Sequence, residues 1–257
     1  MPEQCELMLM RDYLNNFNNL EVKATHKSTF TKIQTPNIAS TIFKGAISRG
    51  KELMLEFTNH NYVFTMGMSG NWTSVAKLED IPKHSHFYIE TIGPIICMVD
   101  PRRFAKWRIG EFNVDRGPDL MSRDYDKFLR SKLNDKLFSK PLYDIMLDQK
   151  YFNGLGNYLR AEILYRANIN PFIEARTLLK NDINFKHFIN IIKTVCIESY
   201  KIGGGEFKNF KNPNSDNEIV NLGKWMQCYG HKEMSQMLDS KKRTFWFNHK
   251  YKSEELK

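Results

Sequence analysis

The stretch YFNGLGNYLRAEILYRANINP (151–171) decides how the second half of the chain is read. Helical periodicity on both sides of it is interrupted by Asn153-Gly154-Leu155-Gly156-Asn157, a turn of residues that tolerate unusual backbone angles. The second helix begins at that turn, so its unpaired N–H groups and positive dipole end can receive a phosphate. A helix–turn–helix that grips backbone phosphate fits the pattern, as does a plain αα-corner with no ligand. Working outward, periodicity predicts helices over 124–138, 140–148, 156–167 and 184–201.

Beyond these helices lies KIGGGEFKNFKNPNSDNE (201–218), rich in Gly, Asn and Lys, which reads as a mobile loop. The segment KWMQCYGHKEMSQMLDSKKRTFWFNHKYK (224–252) pairs two short apolar runs around a polar turn and predicts a β-hairpin. Toward the N-terminus, NVDRGPDLMSRD (113–124) reads as a linker. Before it the texture is that of short β-branched and aromatic runs: STFTKI, STIFKGAI, ELMLEF, YVFTMGM, HFYIETI and PIICMV. In ELMLEF, Leu53, Leu55 and Phe57 alternate with Met54 and Glu56, the period of a half-buried strand. Leu7, Leu9, Met10, Leu14 and Phe17 are spaced for an opening amphipathic helix over 3–18. The expected fold is therefore α+β. An N-terminal helix and antiparallel β-sandwich occupy 1–112, a linker 113–124, a helical domain 125–222, a hairpin 223–251 and a tail 252–257.

Composition narrows the function. With 257 residues the chain can bury a real core, and 41% hydrophobic with 13% aromatic content excludes disorder. No apolar run reaches the roughly 18 residues of a membrane span. The opening MPEQCELMLMRDYLNN carries acids where a secretory signal needs bases. Cys5, Cys97, Cys196 and Cys228 lie far apart with no C-x-x-C pair, which argues for a reducing compartment and against a four-cysteine zinc site. A net charge of +9 favours a polyanionic partner.

Several residues can carry chemistry. Pro2 is most simply a helix starter that permits removal of Met1. Once Met1 is gone it presents a secondary amine, and a terminal amine titrating near ~8 can attack a sugar C1′ to form an imine. Glu3 and Glu6 would share one face of the helix beginning there and could divide the proton transfers. In VDPRRFAKW (99–107), Arg102, Arg103 and Phe104 follow an apolar strand and could reach into a duplex to fill a vacated base position. Met68 stands on a glycine turn in FTMGMSG, where rim packing is the plainer reading. Lys51, after Gly50 at a strand start, is by default a solvated lysine.

Taken together, MPE, SRGKELMLEF, MGMSG, VDPRRF, RGPD, LDQKYFNGLGNYLRAEILYR and RTFWF resemble, in order and across nearly the whole chain, the formamidopyrimidine-DNA glycosylase/endonuclease VIII family. The branch most similar is that of the eukaryotic-type endonuclease VIII-like 1 glycosylases. The CYG…M…D…RT-WF tail, lacking zinc cysteines, looks like their zincless finger. The resemblance implies a helix–two-turn–helix domain and a bifunctional glycosylase that removes oxidised bases and cuts the abasic strand by β,δ-elimination. Oxidised pyrimidines would be the main substrates, with formamidopyrimidines and hydantoins beside them. It implies that Pro2 is the nucleophile, that Glu3 and Glu6 are acid/base groups, and that Lys51 contacts the phosphate beside the lesion. Met68, Arg102 and Phe104 would be the void-filling wedge, while Asn157 and the finger residue Arg243 would hold phosphate. No metal or organic cofactor is implied. The expected partner is damaged DNA, duplex or single-stranded, bound by a monomer in the nucleus or another DNA-containing compartment such as a viral factory.

Four positions depart from the family pattern. Gln4 and Cys5 stand where the family has glycine and proline, Ala105 replaces the usual glycine after Phe104, and Gly205 sits where relatives can carry a base-reading lysine or arginine. Two other readings fit less of the sequence: a catalytically silent lesion binder, which would have no need of Pro2, Glu3 and Lys51, and a binder of RNA or single strands using aromatic platforms.

Overall fold

The computed structural model describes residues 2–27, 37–204 and 222–254. The chain forms two compact units, Met1–Asn113 with Gly203–Val220, and Val114–Ile202 with Asn221–Lys257.

The first unit opens with helix α1 (Gln4–Leu14), capped at Glu3 and buried along Cys5, Leu7, Leu9, Met10 and Leu14. The helix stops four residues short of the predicted end. Asn15 takes the C-cap, and its side chain turns to the sheet, donating to Ala46 O (3.1 Å) and accepting from Ala46 N (2.7 Å). Phe17 therefore falls on a short 3-10 turn, edge-on to Tyr13.

Among the described residues eight strands follow: β1 (Leu20–Lys27), β2 (Ala39–Arg49), β3 (Glu52–Phe57), β4 (Asn61–Thr65), β5 (Asn71–Val75), β6 (Ser85–Thr91), β7 (Ile95–Val99) and β8 (Lys106–Ile109). They form one antiparallel sheet in the order β5-β7-β6-β1-β2-β3-β4-β8. The sheet bends over on itself. Tyr62 and Phe64 of β4 meet Phe87 of β6 edge-on at 5.2 and 5.1 Å, although three strands separate β4 from β6 in the sheet. Trp107 of β8 also packs on Phe87, so the two halves of one sheet face each other as a sandwich around an aromatic core. The bend is written into β2, where the register shifts between Phe43 and Gly45. At φ +141°, Gly45 takes the shift, and a Cβ there would stand 2.7 Å from Asn18 Oδ1.

Three of these strands escape the hydrophobic pattern. In β1, which lies mid-sheet, only Val22 and Thr25 are fully buried, and β5 and β8 each bury a single large side chain, Trp72 and Trp107. In β3 the expected alternation is lost because Met54 is buried as well, α1 packing against this part of the sheet. The run STFTKI lies outside the described residues, apart from which the sheet has the class expected.

The second unit is helical: α2 (Tyr125–Lys132), α3 (Leu142–Ile145), α4 (Asn157–Arg166), α5 (Ala175–Lys180), α6 (Asp182–Lys201) and α7 (Leu222–Trp225), with a hairpin of β9 (Ser235–Leu238) and β10 (Thr244–Phe247). The single helix expected over 124–138 is two pieces. Asp135 accepts Leu137 N–H (3.2 Å) and starts a separate 3-10 turn at Lys136. Helix α5 was not foreseen, being only six residues long. Tyr158 to Leu164 of α4 are all buried, with α6 packed alongside and the hydroxyls of Tyr158 and Ser199 3.0 Å apart. Among the described residues no helix is long and apolar enough to cross a membrane.

Candidate active site and nucleic-acid interface

The first cluster is at the start of α1. Glu3 occupies the N-cap position with extended backbone, so Pro2 precedes the cap and is not the first helical residue. The substitutions Gln4 and Cys5 leave the helix start intact and lie buried within its first turn. Glu6 Oε2 accepts the Glu3 N–H at 2.7 Å, one arm of a capping box. Pro2, Glu3 and Glu6 are all buried at the start of the helix. Gly204, just past α6 (Asp182–Lys201), lies against Glu6 and Leu9. Its φ is +67°, and a Cβ there would lie 2.9 Å from Glu6 Oε1 and 3.0 Å from Leu9 Cδ1. Gly205, the position of interest beside it, lies outside the described residues, as does nearly all of the Gly/Asn/Lys-rich segment and the last part of the tail.

Lys51 sits on the tight turn between β2 and β3, after Gly50 at φ +58°. Its neighbour Glu52 is buried, accepting the Asn113 N–H (3.2 Å) and pairing with Arg108 (3.4 Å).

The second cluster unites Met68, Arg102 and Phe104. They stand on two loops pressed together so closely that a Cβ on Gly67 (φ +60°) would meet the Phe104 backbone at 2.6 Å. Asp100 and Ser69, which sequence reading passed over, tie these loops. Ser69 Oγ donates to Asp100 Oδ1, which also accepts Arg102 N–H (3.2 Å), while Asp100 Oδ2 accepts Ala105 N–H (2.6 Å). The Ala105 exchange thus keeps a backbone donor that the loop uses. Arg102 lies over the Phe104 ring at 4.8 Å. Met68 and Phe104 remain 39% and 47% exposed, large apolar groups held outward by a polar scaffold.

The third cluster is built on α4. The turn before it is stitched by Gln149, whose Nε2 donates to Leu147 O (3.2 Å) and Leu155 O (3.0 Å) and whose Oε1 accepts Gly154 N–H (3.0 Å). Asn157 opens the helix, and its Nδ2 donates to Thr244 O of β10 at 2.6 Å. Arg243 precedes that strand, its Nε donating to Asp239 Oδ2 at 3.0 Å. Burial pushes the Asp239 carboxyl up, but the N–H groups of Arg243 and Lys241 and the charges of Arg243 and Arg160 outweigh it, leaving it below the usual aspartate value.

Cys228 is wholly buried, and burial, with Glu162 beside it, pushes its thiol up to about 12. Among the described residues no group of three or more His, Cys, Asp or Glu could hold a metal ion. Arg160, Glu162 and Asp239 were not singled out in the sequence. The available signal was a charged pair inside a helix apolar at nearly every other buried position.

The chain is similar to known proteins over most of its length. The formamidopyrimidine-DNA glycosylase N-terminal domain matches residues 1–107, the formamidopyrimidine-DNA glycosylase H2TH domain 117–211, and the endonuclease VIII-like 1 DNA-binding domain 220–250. Endonuclease 8-like 1 of Homo sapiens is 32% identical over 96% of this chain and 72% of its own length. Formamidopyrimidine-DNA glycosylase of Zymomonas mobilis is 29% identical over 72% of this chain and 70% of its own length. The Lactococcus lactis Fpg, solved in complex with abasic-site DNA, superposes with a TM-score of 0.81 at 18% identity, covering 96% of this chain and 97% of its own.

Proposed function

The chain belongs to the formamidopyrimidine-DNA glycosylase/endonuclease VIII family, and we propose that it is a bifunctional DNA glycosylase and AP lyase of base excision repair acting on oxidised bases. Its main substrates are oxidised pyrimidines, with formamidopyrimidines and hydantoins beside them. The observation that carries this is the burial of Pro2 with Glu3 and Glu6 at the capped start of α1.

A base inside a duplex cannot be attacked at its sugar, so it is first rotated out, at a cost of a few kcal/mol. Met68, Arg102 and Phe104 replace the lost stacking. Lys51 of the first unit, and Asn157 and Arg243 of the second, take backbone phosphates. With Met1 removed, the Pro2 nitrogen attacks C1′ and gives up its N–H proton, the bond from C1′ to the base breaks, and the departing base takes that proton. Glu3 protonates the ring oxygen as the sugar opens, giving an iminium in which Pro2 is bonded to C1′. The iminium acidifies C2′. Loss of a proton there expels the 3′ phosphate, and a second elimination expels the 5′ phosphate. Glu6 holds the Glu3 backbone and serves these proton transfers from the same pocket.

Borohydride trapping on DNA containing an oxidised pyrimidine tests the reading, because only an iminium-forming enzyme becomes covalently attached. A protein that binds this DNA yet gives no adduct would instead be a silent lesion binder.

A further inference from the structure

One buried ion pair holds both of the second unit's phosphate residues. Arg160 of α4 has a wholly buried side chain, as does Asp239, and their Nη1 and Oδ2 atoms are 3.1 Å apart. Arg160 Nη1 also donates to Tyr143 O (3.1 Å), its guanidinium lies 4.5 Å over the Phe245 ring, and its Nη2 donates to Asn157 Oδ1 (2.5 Å). Asp239 gives Oδ2 to Arg160 Nη1 and Arg243 Nε, and Oδ1 to the backbone N–H groups of Lys241 and Arg243, both 2.9 Å.

These contacts make a relay. Arg160 turns the Asn157 amide oxygen inward, so its NH2 faces Thr244 O and keeps a second hydrogen for a ligand. Asp239 takes the Nε edge of Arg243, so the Nη edge is what remains for an anion. The ion pairing itself is weak evidence of a purely stabilising role, because apolar residues of similar volume often hold such an interface as well as two buried charges do.

We propose that the Arg160–Asp239 pair is a positioning device that makes Asn157 and Arg243 a single phosphate-binding unit. The inference rests on the DNA-binding reading of those two residues given above.

The test is the affinity, across a salt series, for duplex DNA carrying a tetrahydrofuran abasic analogue. Asp239→Asn keeps an oxygen for the two turn N–H groups but sets an NH2 against two guanidiniums. It is expected to weaken binding about tenfold near 0.15 M salt and to lower the salt slope by about one, the effect also expected of Arg243→Ala. In the Asp239→Asn background, Arg243→Ala should cost no more than a further ~2-fold, because coupled residues do not add. Wild-type affinity and slope in Asp239→Asn, or losses that multiply in the double variant, would overturn the proposal. Should Asp239→Asn fail to fold, the combined change Arg160→Met with Asp239→Asn removes both charges while keeping an oxygen for the two turn N–H groups. It should fold and bind as weakly as Arg243→Ala, and native affinity there would be equally fatal. If Arg243→Ala and Asn157→Ala both bind as wild type, the phosphate reading itself falls and this inference with it.

Discussion

Glu162 Oε1 accepts the backbone N–H of Cys228 at 2.8 Å, with both side chains wholly buried. The same carboxylate takes Tyr229 N–H at 2.9 Å through Oε1 and Gln227 N–H at 2.9 Å through Oε2. The base of the finger is thus fastened to α4 by a helix carboxylate. Chelation should leave activity and Tm unchanged, and the purified protein should hold no stoichiometric zinc. Glu162→Gln turns one acceptor into a donor facing an N–H and should cost about 2–3 kcal/mol, read by thermal unfolding. A Tm that falls on adding chelator would refute this account.

Retention of Met1, or Pro2→Gly, should cripple borohydride trapping while DNA affinity stays within a few-fold of wild type. Glycine keeps a primary amine, so its residual trapping should exceed that of the Met1-retained form. Undiminished trapping with Met1 in place would move the nucleophile elsewhere.

Gly204→Ala would set a Cβ 2.9 Å from Glu6 Oε1 on a backbone at φ +67°. The carboxylate cannot simply swing away, being buried and fixed to Glu3 N–H. The left-handed conformation adds roughly 1–2 kcal/mol of strain. Base excision is expected to fall at least tenfold, with binding to an abasic-analogue duplex changed less than threefold. Unimpaired excision would show that Glu6 has room to move.

Arg102→Ala should depress excision from duplex DNA far more than strand cleavage at a preformed abasic site, where no base needs displacing. Asp100→Asn should reproduce that split without touching DNA, since Asp100 holds Arg102 N–H and Ala105 N–H in place. Equal losses on both substrates would remove the wedge assignment.

The lowered carboxyl of Asp239 gives the hairpin an acid limit. A depressed folded-state value stabilises above the ordinary aspartate value of ~3.9 and is lost as pH falls through the folded one. Tm should therefore drop more steeply below about pH 4 in wild type than in Asp239→Asn. Parallel Tm profiles would contradict the shift.

Local period and turn chemistry account for everything that could be read before the chain was folded. The turn at 153–157 and the start of α4 at Asn157 are legible because glycine and asparagine permit backbone angles that other residues resist. The strand runs were legible where two or more large apolar side chains alternate, and illegible in β1, β5 and β8, where one or two buried groups are all the signal there is. The order of motifs sufficed for the family and the sandwich-plus-helices class. Tertiary structure alone decided the polar couplings: Asp100 with Ser69, Glu6 beneath Gly204, Glu162 under Cys228, and Arg160 with Asp239. Such pairs leave no periodic trace, since a buried charge finds its partner only when packing has excluded water and brought distant segments within a hydrogen bond.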